Sequence, residues 1–428
     1  MEPESTHGVL EQRGKTPRLP DFVLADVQAS GASVDDILQD ALRTIRVHLG
    51  MDVAFMSEFL EGRRFFRYVD AGAETPLISV GDSDPLDASY CHYIVDGRLP
   101  QLIRDAARIP LAMTLPATTA LPVGAHLSVP IQFSDGHIYG TFCCFKSAPD
   151  LTLLERDLAM VQIFAEFTGK QLERQLAANR TYDEMTERVR SVIDTQDFTT
   201  VYQPIYHFGA DRIVGFEALA RFSALPIRAP NVWFDEATQL GLVEALEMTA
   251  IEQALQGLAH LPEDIYLSLN VSPVTVMRGA MTRALKRAPL ERIVLELTEH
   301  VSIPDYAQLV QVLKPLRKSG VRLAVDDAGA GYASFRHILR LEPDIIKLDI
   351  SLTRDIDTDR TRRALAAALI RFAEETGSTI IAEGVETESE LTVLRHLGIN
   401  KAQGYLIGRP MPLASAVTLF QSSAHRDS

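Results

Sequence analysis

Between Phe198 and Leu406 one arrangement recurs, in which a short apolar run carries, at or near its end, a side chain able to hold a metal ion or a phosphate. Glu217 closes IVGFE, Asn270 closes IYLSLN, Glu296 lies in RIVLELTE, and Asp326 and Asp327 close VRLAVDD. Lys347 lies in DIIKLD, Glu383 closes TIIAE, and Gln403 opens QGYLI. Strands of this kind alternating with helical segments predict an α/β chain with a (β/α) barrel, whose chemistry gathers where the strands end. Carboxylates brought to one mouth from separate strands raise one another's pKa unless cations lie between them. Carboxylate oxygens plus the Asn270 amide, with no Cys or His cluster, suit Mg²⁺ or Mn²⁺ better than zinc. Two such ions would grip a phosphodiester oxygen and activate the attacking water. His207, His260, His300 and His337 show no metal spacing and read as surface or packing residues.

The rest of the composition excludes several classes. With 428 residues, 46% hydrophobic and 23% charged, the chain can build two or three domains. A net charge of -15 argues against a duplex nucleic-acid binder, so any phosphate must be met locally. The start MEPESTHGVLEQRG lacks the basic stretch and apolar core of a signal peptide, and no apolar run is long enough to insert in a bilayer. A cytoplasmic location is expected. Of the three cysteines, Cys91, Cys143 and Cys144, the adjacent pair can hardly make a useful staple, in keeping with a reducing compartment.

Residues 1–24 read as a flexible tail. Val34, Ile37, Leu38, Leu42, Ile45 and Leu49 share one helical face. The strand-like runs MDVAFMSEFL and RRFFRYV meet at Glu61-Gly62, and AHLSVPIQF and HIYGTFCCF meet at SDG, two hairpin signals. Together these predict an α+β domain over 25–150. Its middle, SYCHYIVDGRLPQLIRDAARIP, and its last strand, GTFCCFKSAPDLT, resemble a GAF domain, a small sensor module. That resemblance implies a ligand pocket or a dimer surface without naming a ligand. Cys91 with His92 reads as packing plus a turn rather than a metal pair, and Cys143 and Cys144 as small apolar strand residues. Residues 151–195 read as a long helix, with Leu154, Leu158, Val161, Ala165, Thr168, Leu172 and Leu176 near heptad spacing. The stripe fits either a partner helix in a homodimer or the helix's own domain.

Residues 196–428 carry VYQPI, EALAR, SLNVSP, LELTE, DDAGAGYAS, IKLD, AEGVE and AQGYLIGRP in order, and this region resembles the EAL domain. The resemblance implies a TIM-type (β/α)8 barrel with one antiparallel strand and a metal-dependent phosphodiesterase that opens cyclic di-GMP to linear pGpG. It implies Glu217, Asn270, Glu296 and Asp326 as ligands of one metal, with Asp326 as a bridge, Asp327 and Glu383 as ligands of the second. Lys347 matches the lysine beside the attacking water, and Gln403 a glutamine near that water. Gln203 and Arg221 match contacts to guanine and phosphate, a guanidinium being well shaped for the latter. Glu299 matches an anchor of the loop after Asp327, and Glu386 a residue that supports the ligands from behind. Where the family usually has DDFGTGYSS, this chain has Ala328, Ala330 and Ala333, which removes an aromatic anchor and two hydroxyls while keeping Gly329, Gly331 and Tyr332. The competing expectation is a barrel that binds cyclic di-GMP without cleaving it.

Overall fold

The computed structural model describes residues 33–72, 78–297, 303, 305–329 and 332–423. The tail over 1–24, Glu299, His300, Ala330 and Gly331, and the side chains of Tyr332 and Ala333, lie outside the described residues. The chain divides into two compact units, one reaching Tyr182 and the other starting at Asp183.

The first unit is built on an antiparallel sheet of β1 (Val53–Leu60), β2 (Arg63–Ala71), β3 (Ser83–Pro85), β4 (Leu102–Ile103), β5 (Ala125–Gln132) and β6 (Ile138–Lys146), in the order β3-β2-β1-β6-β5-β4. Both expected hairpins form, with Glu61 and Gly62 in the left-handed region at the first. The helix Val34–Leu49 starts at Ser33, whose hydroxyl accepts from the Asp36 N–H while the Asp36 carboxylate accepts from the Ser33 N–H. That reciprocal cap satisfies two otherwise orphan donors. Its Leu38, Leu42 and Ile45 pack with Ala54, Met56, Leu127, Phe142 and Cys144 on one face of the sheet. Because side chains alternate along a strand, Val53, Phe55, Cys143 and Phe145 point to the opposite face, against the helix Tyr90–Val95. Adjacent Cys143 and Cys144 therefore belong to different cores.

The long helix spans Glu155–Thr195. Val161, Ala165 and Leu172 of its apolar stripe are buried in the first unit's own core, whereas Leu154 and Leu176 stay exposed. Of the two readings of that stripe, its own domain takes the central part. Farther along, Val189 and Val192 pack within the second unit against Phe198, Trp233 and Leu246. Among the described residues no helix is long and apolar enough to cross a membrane.

The second unit is a closed barrel of β7 (Phe198–His207), β8 (Arg212–Phe222), β9 (Tyr266–Val271), β10 (Ile293–Leu297), β11 (Arg322–Ala328), β12 (Ile345–Leu348), β13 (Thr379–Ala382) and β14 (Lys401–Ala402). Only β7 runs antiparallel to its neighbours, β8 and β14; the other pairings are parallel. Outward-facing apolar residues of the strands merge with the surrounding helices in one large core. Inside, Ile205, Tyr266, Val294, Ala324, Ile345 and Ile381 form a separate apolar plug. Gly215 makes room for it, since a Cβ there would stand 2.5 Å from the Tyr266 ring.

Candidate active site

The plug sets the site by strand parity. Two residues beyond each plug residue the next inward position is polar: Ser268 follows Tyr266, Glu296 follows Val294, Asp326 follows Ala324, Lys347 follows Ile345 and Glu383 follows Ile381. On the antiparallel β7 the same step runs backwards, from Ile205 to Gln203, which pairs with Glu217 on β8. A two-residue period thus stacks a polar layer directly on an apolar one.

Lys347 stands at its centre, only 1% exposed. Its Nζ lies 2.5 Å from Glu383, 2.9 Å from Glu296, 3.1 Å from Asp326 and 3.4 Å from Glu217. Asn270 Nδ2 donates to Glu217 Oε1 at 2.9 Å, and Gln403 Nε2 donates to Glu217 Oε2 at 2.6 Å and to Gln203 Oε1 at 3.0 Å. Ser268 Oγ donates to Glu296 Oε1. Among the described residues, buried Gln403 Oε1 has no hydrogen-bond partner. At the end of β11 the backbone turns sharply, with Asp327 at φ 54° and Gly329 at φ 109°. A Cβ on Gly329 would meet Leu352 at 2.2 Å, so only glycine fits there. This turn places oxygens of Asp326, Asp327 and Glu383 within 4.8 Å of one another, a spacing suited to a cation. Ala328, where the family usually has Phe, is fully buried beneath the turn.

One ammonium among this many carboxylates cannot neutralise them all. Burial raises Glu296 to about 8, reinforced by the negative charge of Glu217. Burial, with the Asp326 charge, also pushes Glu383 well above the ordinary carboxylate range. Glu217 goes the other way: burial would raise it, but Lys347 and the amides of Gln403 and Asn270 hold it down. For Lys347, burial opposes the charge, yet Asp326, Glu217, Glu296 and Glu383 keep it firmly protonated. A pocket of hard oxygen donors, short of positive charge and with an unpaired amide oxygen at its edge, fits divalent cations of the Mg²⁺ type.

Two expected residues stand apart from the cluster. Arg221 is exposed, donates to its neighbour's carbonyl on Ala220, and with Asn270 lines a cavity of about 280 Å³ that also includes Phe234, Asp235 and Glu247. Glu386 pairs with Arg354 at 2.5 Å and, among the described residues, takes no part in the carboxylate cluster around Lys347. Conversely, sequence reasoning passed over Ser268 and Glu247. Ser268 shares Asn270's strand parity, a usable signal. Glu247 accepts from Ser272 N at 3.0 Å and Ser272 Oγ at 2.9 Å, holding the turn after β9, and nothing in its helical surroundings marks it.

Fold and site together define a TIM-type barrel with an acidic, cation-seeking mouth. Residues 186–410 match the EAL domain, more than half of the chain, and the protein belongs to that family; residues 33–172 match the GAF domain. It is 30% identical over 235 residues to a probable cyclic di-GMP phosphodiesterase, PdeA, of Escherichia coli (strain K12), covering 53% of this chain and 32% of that protein. It is likewise 30% identical over 255 residues to the cyclic di-GMP phosphodiesterase NbdA of Pseudomonas aeruginosa, covering 56% and 33%. The chain thus spans about a third of the length of these relatives. Among solved structures, an EAL domain protein from Listeria monocytogenes EGD-e aligns with a TM-score of 0.50 at 25% identity, over 55% of this chain and 97% of that one. The PaMucR phosphodiesterase, in a c-di-GMP complex, aligns with a TM-score of 0.50 at 26% identity, over 54% and 99%.

Proposed function

We propose that this chain is a phosphodiesterase that opens cyclic di-GMP to linear 5′-pGpG, using Mg²⁺ or Mn²⁺. The observation that carries the reading is the convergence of Glu217, Glu296, Asp326 and Glu383 on Lys347 alone, with Asp327 adjoining. Glu217, Asn270, Glu296 and Asp326 would hold one ion, and Asp326, Asp327 and Glu383 a second. Bound there, the ions supply charge stabilisation for the phosphodiester and lower the pKa of water. The chain's own groups do the rest. Gln203 and Arg221 bind the nucleotide, Arg221 from the cavity it shares with Asn270. Lys347 and Glu383 orient the attacking water. Water adds to one phosphorus as its bond to the ribose 3′-oxygen breaks, leaving a 5′-phosphate and a free 3′-hydroxyl.

The same reading takes the GAF unit as a sensor that sets the barrel's rate in a cytoplasmic homodimer, with an unidentified small ligand or, if the unit only dimerises, none. Equal rates for the whole chain and for the barrel unit alone would remove the sensor from the account. For the reaction itself, purified protein is incubated with cyclic di-GMP and Mg²⁺ or Mn²⁺, with and without a chelator, and the products are separated by chromatography. The expected result is pGpG that disappears with the chelator; nucleotide bound but left intact would instead make this a receptor.

A further inference from the structure

The mechanism uses nothing of the first unit, yet that unit holds a buried group of reactive side chains. Arg64 is 2% exposed and bridges two partners. Its Nε and Nη2 donate to Asp84 at 2.9 and 2.5 Å, and its Nη1 donates to Cys91 Sγ at 3.0 Å. The guanidinium also lies over the Phe66 ring at 4.7 Å and the Phe55 ring at 5.4 Å, which fixes it in place. Cys91 Sγ in turn lies 3.3 Å from Cys143 Sγ, although the two are 52 residues apart. Cys143 is held by Ser128 Oγ at 3.0 Å and Thr141 Oγ1 at 3.1 Å. Asp84 lines a cavity of about 380 Å³ with Phe66, Ile78, Ala88 and Ala117, so the guanidinium links the cavity wall to the sulfur pair.

The geometry points to Cys91 and Cys143 as a redox-active dithiol in the GAF unit, a modification site at which a hydroperoxide closes one disulfide, with Arg64 as the group that activates Cys91. The thiolate is the reactive form of cysteine, and a neighbouring cation favours it. Burial alone would push the Cys91 thiol up, but Cys143 and the Arg64 charge outweigh it and hold Cys91 at about 5. Cys143 is pushed up, by burial first and then by its neighbour Cys91, and so remains the protonated partner. Cys144, on the other sheet face with burial alone acting on it, is pushed up to about 12 and is the internal control.

The electron balance closes. Cys91 thiolate attacks the peroxide, forming an S–O bond and breaking O–O, and hydroxide departs. Cys143 then attacks the sulfenic sulfur, forming S–S and breaking S–O; its proton leaves with the oxygen as water. Two thiols lose two electrons and one peroxide becomes two waters. Both sulfurs are fully buried, so the reaction requires a local opening that admits the oxidant.

The whole protein is treated with a small excess of hydrogen peroxide. Remaining thiols are then blocked with N-ethylmaleimide in denaturant, and non-reducing digests are read by mass spectrometry. A Cys91–Cys143 link that dithiothreitol reverses is expected, with fragmentation placing the maleimide on Cys144. Cys143→Ser should stop Cys91 at the sulfenic acid, trapped by dimedone. In the charge-balanced variant Arg64→Met/Asp84→Asn, oxidation of Cys91 should slow about tenfold or more. The pair is refuted if Cys91 and Cys143 both stay open to maleimide in peroxide-treated native protein while the denatured chain oxidises, or if Cys144 links as readily as Cys143. An unchanged rate in a folded double variant removes Arg64 from the assignment.

Discussion

Among the described residues two cations are buried, Arg64 in the first unit and Lys347 in the second, and their surroundings differ in a way that separates structure from chemistry. Arg64 faces one carboxylate and one acidic thiol, which leave an excess of at most one negative charge. Lys347 faces Glu217, Glu296, Asp326 and Glu383, which leave an excess of three when all four are ionised. Burial without balance is stable only when charge comes from outside, so the barrel mouth asks for ions and the core of the first unit does not. The sharpest way to break this contrast is to remove a carboxylate from the crowded side. Glu217→Ala should lower pGpG formation by about 10³-fold or more while circular dichroism stays unchanged. Undiminished turnover in that variant would sink the assignment of the mouth as the active site.

A second test sets the two cations against each other. Removing one partner of a buried ion pair costs about 3–5 kcal/mol, because uncompensated charge is left behind. Lys347→Met should therefore lose stability of that order in chelator, read from urea titrations of the fluorescence of Trp233, the protein's single Trp, which is buried against Phe222 in the barrel unit. Added Mn²⁺ should restore much of the loss, since an ion that binds only the folded state stabilises it by mass action. Arg64→Met should lose stability, read by circular dichroism because Trp233 lies in the other unit, that Mn²⁺ leaves untouched. Equal response of both variants to Mn²⁺ would erase the distinction.

The imbalance also predicts a pH dependence. Glu296 has a folded pKa of about 8, raised by burial and then by Glu217. The folded state therefore binds its proton more tightly than the unfolded chain does, and the stability this confers is full below the ordinary carboxylate value and lost as pH rises towards 8. In chelator the barrel should unfold at lower urea at pH 8 than at pH 5.5, as read by Trp233. Glu296→Gln should reduce that slope, leaving the share of Glu383, which is raised likewise, and saturating Mn²⁺ should flatten it. Glu217, shifted downward, works in the opposite sense only at more acidic pH. A slope that the Gln variant leaves intact would assign the titration elsewhere.

What could be read before the fold was known follows the same divide. The acidic residues of the barrel mouth were legible because each lies at or near the end of an apolar run, and parity along a strand carries a side chain to a known face. Ser268 obeys that parity within YLSLN and was overlooked only because a hydroxyl signals no charge. The antiparallel sense of β7 came from family resemblance alone. The Cys91–Cys143 contact had no local signal, since a helix and a strand 52 residues apart bring it about, and the doublet Cys143-Cys144 concealed that its members face opposite cores. The stripe on the Glu155–Thr195 helix was visible, but the surface that covers Val161, Ala165 and Leu172 was not, because periodicity reports a buried face and not what buries it.

The smallest effect is expected at Glu386, where family resemblance and geometry part. Its carboxylate is spent on Arg354, and both side chains are well exposed, at 39% and 49%. Exposed ion pairs contribute about 0–1 kcal/mol, and salt screens them further. Its backbone N–H, donated to Glu390 at 3.0 Å, is a separate link that substitution keeps. Glu386→Ala should therefore change stability by under about 1 kcal/mol and turnover by less than about tenfold, with any loss shrinking at high salt. A drop as deep as that of Glu217→Ala would mean that Glu386 swings inward when nucleotide and ions bind. The crowded side of the comparison would then extend one loop farther from the strands than its contacts now show.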